Sequence, residues 1–377
     1  MFNQDGATGS APPKHESSRL RSLDGLRGVA IIVVIVWHCY GEFSNLLPFG
    51  DRFSFYPVRT GWAAVQLFFL ISGFVILMTL EKCQTFSEFA WRRWLRLFPA
   101  MFVGSIIILA FDWTFATGPY ADRTVINLLP GWLFVSPQLL HAVTGLNIDS
   151  MDGPFWSLYV EVCFYVVFGV SYFKLGRRGA ISVLLVLFAL SAIASTLLKL
   201  GFGGEPLNSV SGVFSWWLGP IHFGWFASGA LFYIAFRNQD YRIFRAAIIV
   251  AIVSALYDSE DWRRAVFALL TVVAVFSCAL ATSWGRALFE WRGFTFMGFV
   301  SYPLYLIHNN ISVGGGMLMA KILPAHLAAA TPIAPLVPIL IAVAIAWVIA
   351  RYVEPAMRDG LRAAFAFVRR RPAAEAV

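Results

Sequence analysis

Apolar residues run along this chain in long stretches broken by short polar segments, without the two-residue alternation that marks a half-buried strand. Such stretches fall at about 28–47, 60–80, 97–116, 154–173, 180–198, 214–236, 244–257, 265–283, 294–318 and 332–350. Most are about 17 to 25 residues long, which is what an α-helix needs to cross the hydrocarbon core of a bilayer. A closed barrel would show alternating segments of roughly ten residues instead. The pattern predicts an all-α polytopic membrane protein, a bundle of about ten transmembrane helices. One further stretch, VINLLPGWLFVSPQLL at 125–140, is apolar but interrupted by Pro130, Gly131 and Pro137. It is expected to lie at the interface or re-enter the outer side without spanning.

Charge then orients the bundle. With the N-terminus in the cytoplasm and the spans alternating, Arg52, Arg59, Arg123, Lys199, Arg263, Arg264 and Lys321 face outward, and all the rest of the 29 Lys and Arg residues face inward. That asymmetry predicts both termini in the cytoplasm. It also accounts for the net charge of +8 without a nucleic-acid partner, because the basic residues cluster between spans. Composition agrees: the chain is 59% hydrophobic and 13% charged, with a mean hydropathy of +0.70. Residues 1–19 are polar and expected to be a disordered cytoplasmic tail, 20–357 the membrane domain, and 358–377 a basic cytoplasmic tail. Cys39, Cys83, Cys163 and Cys278 show no C-x-x-C spacing, so neither a disulfide framework nor a metal site is expected.

Ionisable and hydroxyl groups inside these spans are costly and point to function. In LDGLRGVAIIVVIVWH, Arg27 and His38 lie eleven residues apart, on one helix face and about 16 Å apart along the axis. Arg27 falls near the cytoplasmic headgroups and His38 near mid-membrane. An apolar setting favours the neutral imidazole, the form a general base needs. Asp24 stands where it would cap this first helix. In GPFWSLYVEVCFY, Ser157, Glu161 and Tyr165 form one polar stripe on a helix opened by Pro154, and Glu161 reaches about the depth of His38. SYPLYLIHNN puts Ser301, Tyr305 and His308 along another face, for which packing is the plainer explanation. Arg92, Arg93 and Arg96 in EFAWRRWLRLFP make a compact site for phosphate, whether of a lipid headgroup or a cosubstrate. In QLFFLISGFVI, Ser72 and Gly73 either let two helices approach closely or leave room for a narrow ligand arm.

Taken in order, these segments resemble the acyltransferase-3 family of membrane O-acyltransferases. Arg27-x10-His38 resembles its opening motif, Ser72 to Phe74 its Ser-Gly-Phe element, and Arg93 and Arg96 its R-x-x-R element. FWSLYVE, ending at Glu161, resembles a further element, and SYPLYLIH and VEP at 353–355 the late ones. The resemblance covers roughly residues 20–357. It implies an acyl-CoA donor on the cytoplasmic side, most simply acetyl-CoA, no metal, and a glycan or glycolipid hydroxyl as acceptor. The setting it implies is the bacterial inner membrane. Some members carry an extracytoplasmic SGNH-hydrolase-like domain that completes transfer; none is expected here, which leaves direct transfer or a separate extracytoplasmic acyltransferase partner.

On this reading Arg27, Arg92, Arg93 and Arg96 hold the CoA phosphates, and the pantetheine arm passes Ser72 and Gly73. His38 deprotonates the acceptor, Glu161 orients the imidazole or the acceptor hydroxyls, and Ser157, Tyr305 and His308 position substrate. A proton-coupled transporter or flippase using His38 and Glu161 as a relay is the rival from another class. A membrane glycosyltransferase would instead place its carboxylates in outer loops, such as Asp149 and Asp152.

Overall fold

A computed structural model describes residues 14–202, 219–257, 266–267 and 269–370, and every regular element among them is helical. The main helices are α1 (Lys14–Trp37), α2 (Ala64–Leu80), α3 (Phe86–Phe115), α4 (Trp156–Lys199), α5 (Phe223–Asn238), α6 (Tyr241–Tyr257), α7 (Arg292–His308), α8 (Leu336–Val348) and α9 (Glu354–Arg370). Residues 14–19, expected in the N-terminal tail, belong to α1, so Asp24 lies inside the helix and pairs with Arg27 at 3.3 Å rather than capping it. The rest of that tail, 1–13, and the last part of the basic tail, 371–377, lie outside the described residues; 358–370 continue α9.

Among the described residues, five helical runs are long and apolar enough to cross a membrane: Arg21–Glu42, Gly61–Leu80, Phe86–Phe115, Gly153–Lys199 and Leu336–Phe367. A sixth is possible if Leu269–Ala281 and Ser283–Phe289, bent by 107° to each other, form one broken span. Ten were expected, and the difference has physical sources. α4 has 44 residues, about 66 Å of helix at 1.5 Å per residue, roughly twice the core thickness. It breaks at Gly176, whose φ of 71° is open to glycine and strained for other residues, so the stretches 154–173 and 180–198 are its two arms. α5, α6 and α7 have 16, 17 and 17 residues, at or just below the lower limit for crossing as straight helices. The first part of the expected span 214–236 and the 258–265 connection lie outside the described residues. Residues 125–140 form only Val125–Asn127, Leu128–Leu133 and the start of Pro137–Thr144, separated by left-handed Phe134, and none is long enough to cross.

Glycines set the closest helix contacts. A Cβ on Gly28 would meet the carbonyl oxygen of Phe294 at 1.9 Å, and one on Gly298 would meet that of Asp24 at 1.8 Å. α1 and α7 therefore touch backbone to backbone, as small residues allow in membrane bundles. The α2–α5 pair repeats the device: a Cβ on Gly73 would meet the Phe226 carbonyl oxygen at 2.0 Å, and one on Gly229 that of Leu70 at 2.0 Å. Gly73 is thus a packing residue, not a passage for a ligand arm. Phe226 fills the space beside that contact, 4.0 Å centroid to centroid from Phe164 and 4.7 Å from Phe69.

Gly298→Leu is predicted to force α1 and α7 apart and to destabilise the fold by about 3 kcal/mol or more, since the atom in the way is backbone and cannot swing aside. Thermal unfolding of the detergent-solubilised protein checks this.

Candidate active site

The mouth of the site is built on α3. Thr85 caps that helix, its hydroxyl accepting from the Glu88 N–H at 3.2 Å, while Glu88 accepts from the Gln84 N–H at 2.8 Å. Starting the helix there sets Arg93 and Arg96 on its inner face, one turn apart. Arg93 donates to the Thr79 hydroxyl at 3.3 Å and lies 6.0 Å from the centre of the Tyr165 ring. Arg96 pairs with Glu354 at 2.7 Å and lies 5.5 Å from the centre of the Tyr302 ring. Together with Arg27 these two line a cavity of about 120 Å³. Arg92 does not: it pairs with Glu88, one turn back, at 2.5 Å on the exposed side of the helix.

The polar stripe of α4 forms one wall. Glu161 Oε1 accepts from the hydroxyls of Ser72 at 2.6 Å and Tyr165 at 2.7 Å. Further in, the Tyr305 hydroxyl donates to the Pro154 carbonyl at 2.9 Å, and the Ser157 hydroxyl lies 2.7 Å from it. Ser72, Ser157, Glu161, Tyr165, Ser301 and Tyr305 all line the cavity with Arg27 and the two α3 arginines, so residues from five segments of the sequence meet in one place.

Beyond Tyr305 lie the two histidines. His308 is fully buried, with its ring centre 5.6 Å from that of Tyr305, and His38 is 5% exposed. His308 Nδ1 sits 2.7 Å from the Tyr305 carbonyl oxygen, and His308 Nε2 sits 3.1 Å from His38 Nδ1. His38 Nδ1 also lies 3.0 Å from the Val34 carbonyl oxygen. Carbonyls only accept, so the neutral His308 carries its proton on Nδ1 and offers a lone pair on Nε2. His38 then carries its proton on Nδ1, shared between Val34 and His308, and keeps the lone pair on Nε2. That nitrogen makes no hydrogen bond among the described residues.

Both histidines stand where an α-helix widens into a π-helical turn, His38–Glu42 after α1 and Asn309–Gly314 after α7. Such turns displace backbone partners and recur at functional sites. Glu161, expected near His38, forms no hydrogen bond to it; the imidazole partner of His38 is His308. Two carboxylates were missed from the sequence. Asp112, 2% exposed in an apolar run of α3, was detectable as an intramembrane charge, whereas Glu354 was visible only as part of VEP. In the loop ahead of α4, Asp152 is fully buried and accepts from the Asn309 amide at 2.8 Å, and burial pushes its carboxyl up to about 7.

Comparison with known proteins gives the family. The acyltransferase domain family model, acyltransferase-3, matches residues 20–351. The chain belongs to this family. It is therefore an acyltransferase, which decides against the transporter and glycosyltransferase alternatives. It is 26% identical over 277 residues to an O-acetyl transferase of Shigella phage Sf6, covering 71% of this chain and 79% of that protein. It is 26% identical over 333 residues to acyltransferase MdmB of Streptomyces mycarofaciens, covering 80% and 81%. To peptidoglycan O-acetyltransferase OatA of Listeria monocytogenes it is 27% identical over 157 residues, 39% of this chain and 23% of that protein. No solved structure matches the chain.

The Glu161 contacts yield a stability prediction. Glu161→Gln keeps an oxygen that accepts from Ser72 and Tyr165, and its unfolding temperature is expected close to that of the wild type. Glu161→Leu leaves both hydroxyls unpaired, at about 1–3 kcal/mol each, and its unfolding temperature is expected well below that of Glu161→Gln.

Proposed function

We propose that this membrane acyltransferase moves an acetyl group from acetyl-CoA, taken up at the cytoplasmic face, to a hydroxyl of an envelope glycan or glycolipid. The observation that carries this reading is the His38–His308 pair lying just past the deep end of a cavity whose mouth is lined by arginine. Arg27, Arg93 and Arg96 hold the CoA phosphates through charge-assisted hydrogen bonds, and Glu354 gives way on Arg96 as phosphate arrives. The neutral arm of the donor runs inward past Ser72, Glu161 and Tyr165 toward Ser157 and Tyr305, a path apolar enough for pantetheine yet lined with hydroxyls for its amides. With α3 opening toward the cytoplasm, the charge asymmetry of the loops supports ten crossings with both termini inside and residence in a bacterial inner membrane. The relatives described as O-acetyl transferases, one of them acting on peptidoglycan, support acetyl as the group and a glycan as the acceptor.

The reaction follows from the tautomers. The bare Nε2 of His38 takes the proton of the acceptor hydroxyl as its oxygen attacks the thioester carbonyl carbon. The C–S bond breaks, an ester forms, and the proton passes from His38 to the departing sulfur, giving CoA thiol. While His38 carries two protons, its Nδ1–H donates more strongly to His308 Nε2. His308 is held in register by its own Nδ1–H bond to the Tyr305 carbonyl, so the developing charge meets an oriented dipole instead of an unpaired interior. An unpaired His38 Nε2 supports direct transfer to the acceptor without an intervening acyl-enzyme.

Two variants test the two ends separately. His38→Ala is expected to bind CoA normally and to lose about 10²- to 10⁴-fold in acyl transfer; wild-type transfer by a folded His38→Ala protein would sink the general-base role. Arg93→Ala/Arg96→Ala is expected to weaken CoA binding, by titration calorimetry in detergent, by about tenfold or more per charged contact. Unchanged affinity would remove these arginines as the phosphate site.

A further inference from the structure

On the outer side of the histidine pair lies a group of polar side chains that donor binding does not use. Asp112 sits near the outer end of α3, Asp152 just ahead of α4, and Asn309, Asn310 and Ser312 in the π-helical turn that follows His308. Asp112 is 2% exposed and the other four are fully buried. Asp152 and Asn309 share a hydrogen bond of 2.8 Å. Many of the remaining atoms have no hydrogen-bond partner among the described residues: both oxygens of Asp112, Oδ2 of Asp152, Oδ1 of Asn309, both amide atoms of Asn310 and Oγ of Ser312. Buried polar atoms are ordinarily paired, and a cluster of orphans beside a reactive group is an exception that needs a cause.

The surroundings narrow the ligand. Residues 116–118 cross the π-helical turn, where a Cβ on Gly118 would lie 3.4 Å from Asn310 Oδ1, and Thr117 donates to the Gly314 carbonyl at 3.4 Å. Tyr120 packs edge-on to Phe43 at 6.4 Å, and Phe43 stacks on His38 at 5.8 Å, giving an apolar strip that leads to the base. An acyl chain would leave every orphan unpaired. A bare cation would suit the two carboxylates but not the Asn310 N–H groups or Arg123, whose guanidinium lies in the same outer loop region and pairs with Asp149 at 2.9 Å. Hydroxyl groups both donate and accept, so a polyhydroxylated ring satisfies carboxylate, amide and hydroxyl orphans together while its apolar face lies on an aromatic strip.

We propose that Asp112, Asp152, Asn309, Asn310 and Ser312 form the acceptor subsite, which binds adjacent hydroxyls of a sugar ring and presents one hydroxyl to His38 Nε2. This assignment rests on the acyl-transfer reading above and adds to it the side from which acceptor enters and the groups that hold it. The segment 116–118 is the cover that moves aside when sugar enters.

The test uses the full-length protein in its own host. Ester-bound acetate is released from purified envelopes by mild alkali and measured in the parent, the deletion strain, and deletion strains carrying Asn310→Ala or Ser312→Ala. CoA affinity is measured by calorimetry on the same variants in detergent. Acetylation is expected to fall tenfold or more in Asn310→Ala with CoA affinity within twofold of the wild type; should that variant not accumulate, Ser312→Ala carries the same expectation. Acetylation within twofold of wild type overturns the subsite. So does a parallel loss of CoA affinity, which marks the cluster as structural only. Equal ester content in parent and deletion strains would overturn the acyl-transfer reading itself.

Discussion

The backbone contact between α1 and α7 is the constraint on which the rest of the site depends. Gly28 and Gly298 remove the side chains that would hold these helices apart, so each helix lies against carbonyl groups of the other. Helices at that separation keep a fixed relation along their length, and near their C-terminal ends His38 and His308 fall 3.1 Å apart. Neither helix owns the pair. A change of register by one residue on either side would rotate one imidazole away, because successive positions on a helix point about 100° apart. In lipid there is no hydrophobic force to favour one register over another, and close packing of small residues supplies the discrimination.

From that contact the site divides into two chemical halves. On the side of the α3 arginines, Arg93 and Arg96 face a cavity whose far wall carries Glu161, and polar side chains there are tied across helix boundaries: Ser72 with Glu161, Ser157 with Tyr305, Arg96 with Glu354. These cross-links tie α2, α3, α4, α7 and α9 together at the depth where an unpaired group would cost most. Outside the histidines the pattern reverses, and Asp112, Asn310 and Ser312 are buried without partners. A paired half suits a charged, extended donor that displaces one ion pair on entry. An unpaired half suits an acceptor that brings its own donors and acceptors. The histidines lie between the two, linked to the donor side through Tyr305.

Much of this architecture is legible in the sequence, and the part that is not has a common cause. Long apolar stretches identify helices because periodicity and length are local properties; so is the stripe of Ser157, Glu161 and Tyr165, which lines the cavity as its spacing predicts. Arg93 and Arg96 likewise follow from a single turn of helix. What spacing does not carry is the partner across the bundle. His38 and Glu161 lie at comparable depth and looked like partners, yet the α1–α7 contact turns His38 toward His308 and leaves Glu161 to Ser72 and Tyr165. Arg92 shares a segment with Arg93 and Arg96 but points about 100° from its neighbour, to Glu88. Gly73 sits beside a cavity-lining serine and is consumed by packing against Phe226. Each of these outcomes is decided by which helix face meets which neighbour, and that information is non-local.

Tyr305 and Val34 fix both imidazole tautomers so that the free lone pair of the pair falls on His38 Nε2. Nitrogen-15 spectra of the detergent-solubilised protein, labelled at histidine and assigned with His38→Gln and His308→Gln, test it directly. Protonated Nδ1 and bare Nε2 signals are expected for both residues at neutral pH, coupled so that removing His308 shifts the His38 Nδ1 resonance. A His38 signal protonated at Nε2, or unaltered by the loss of His308, would contradict it.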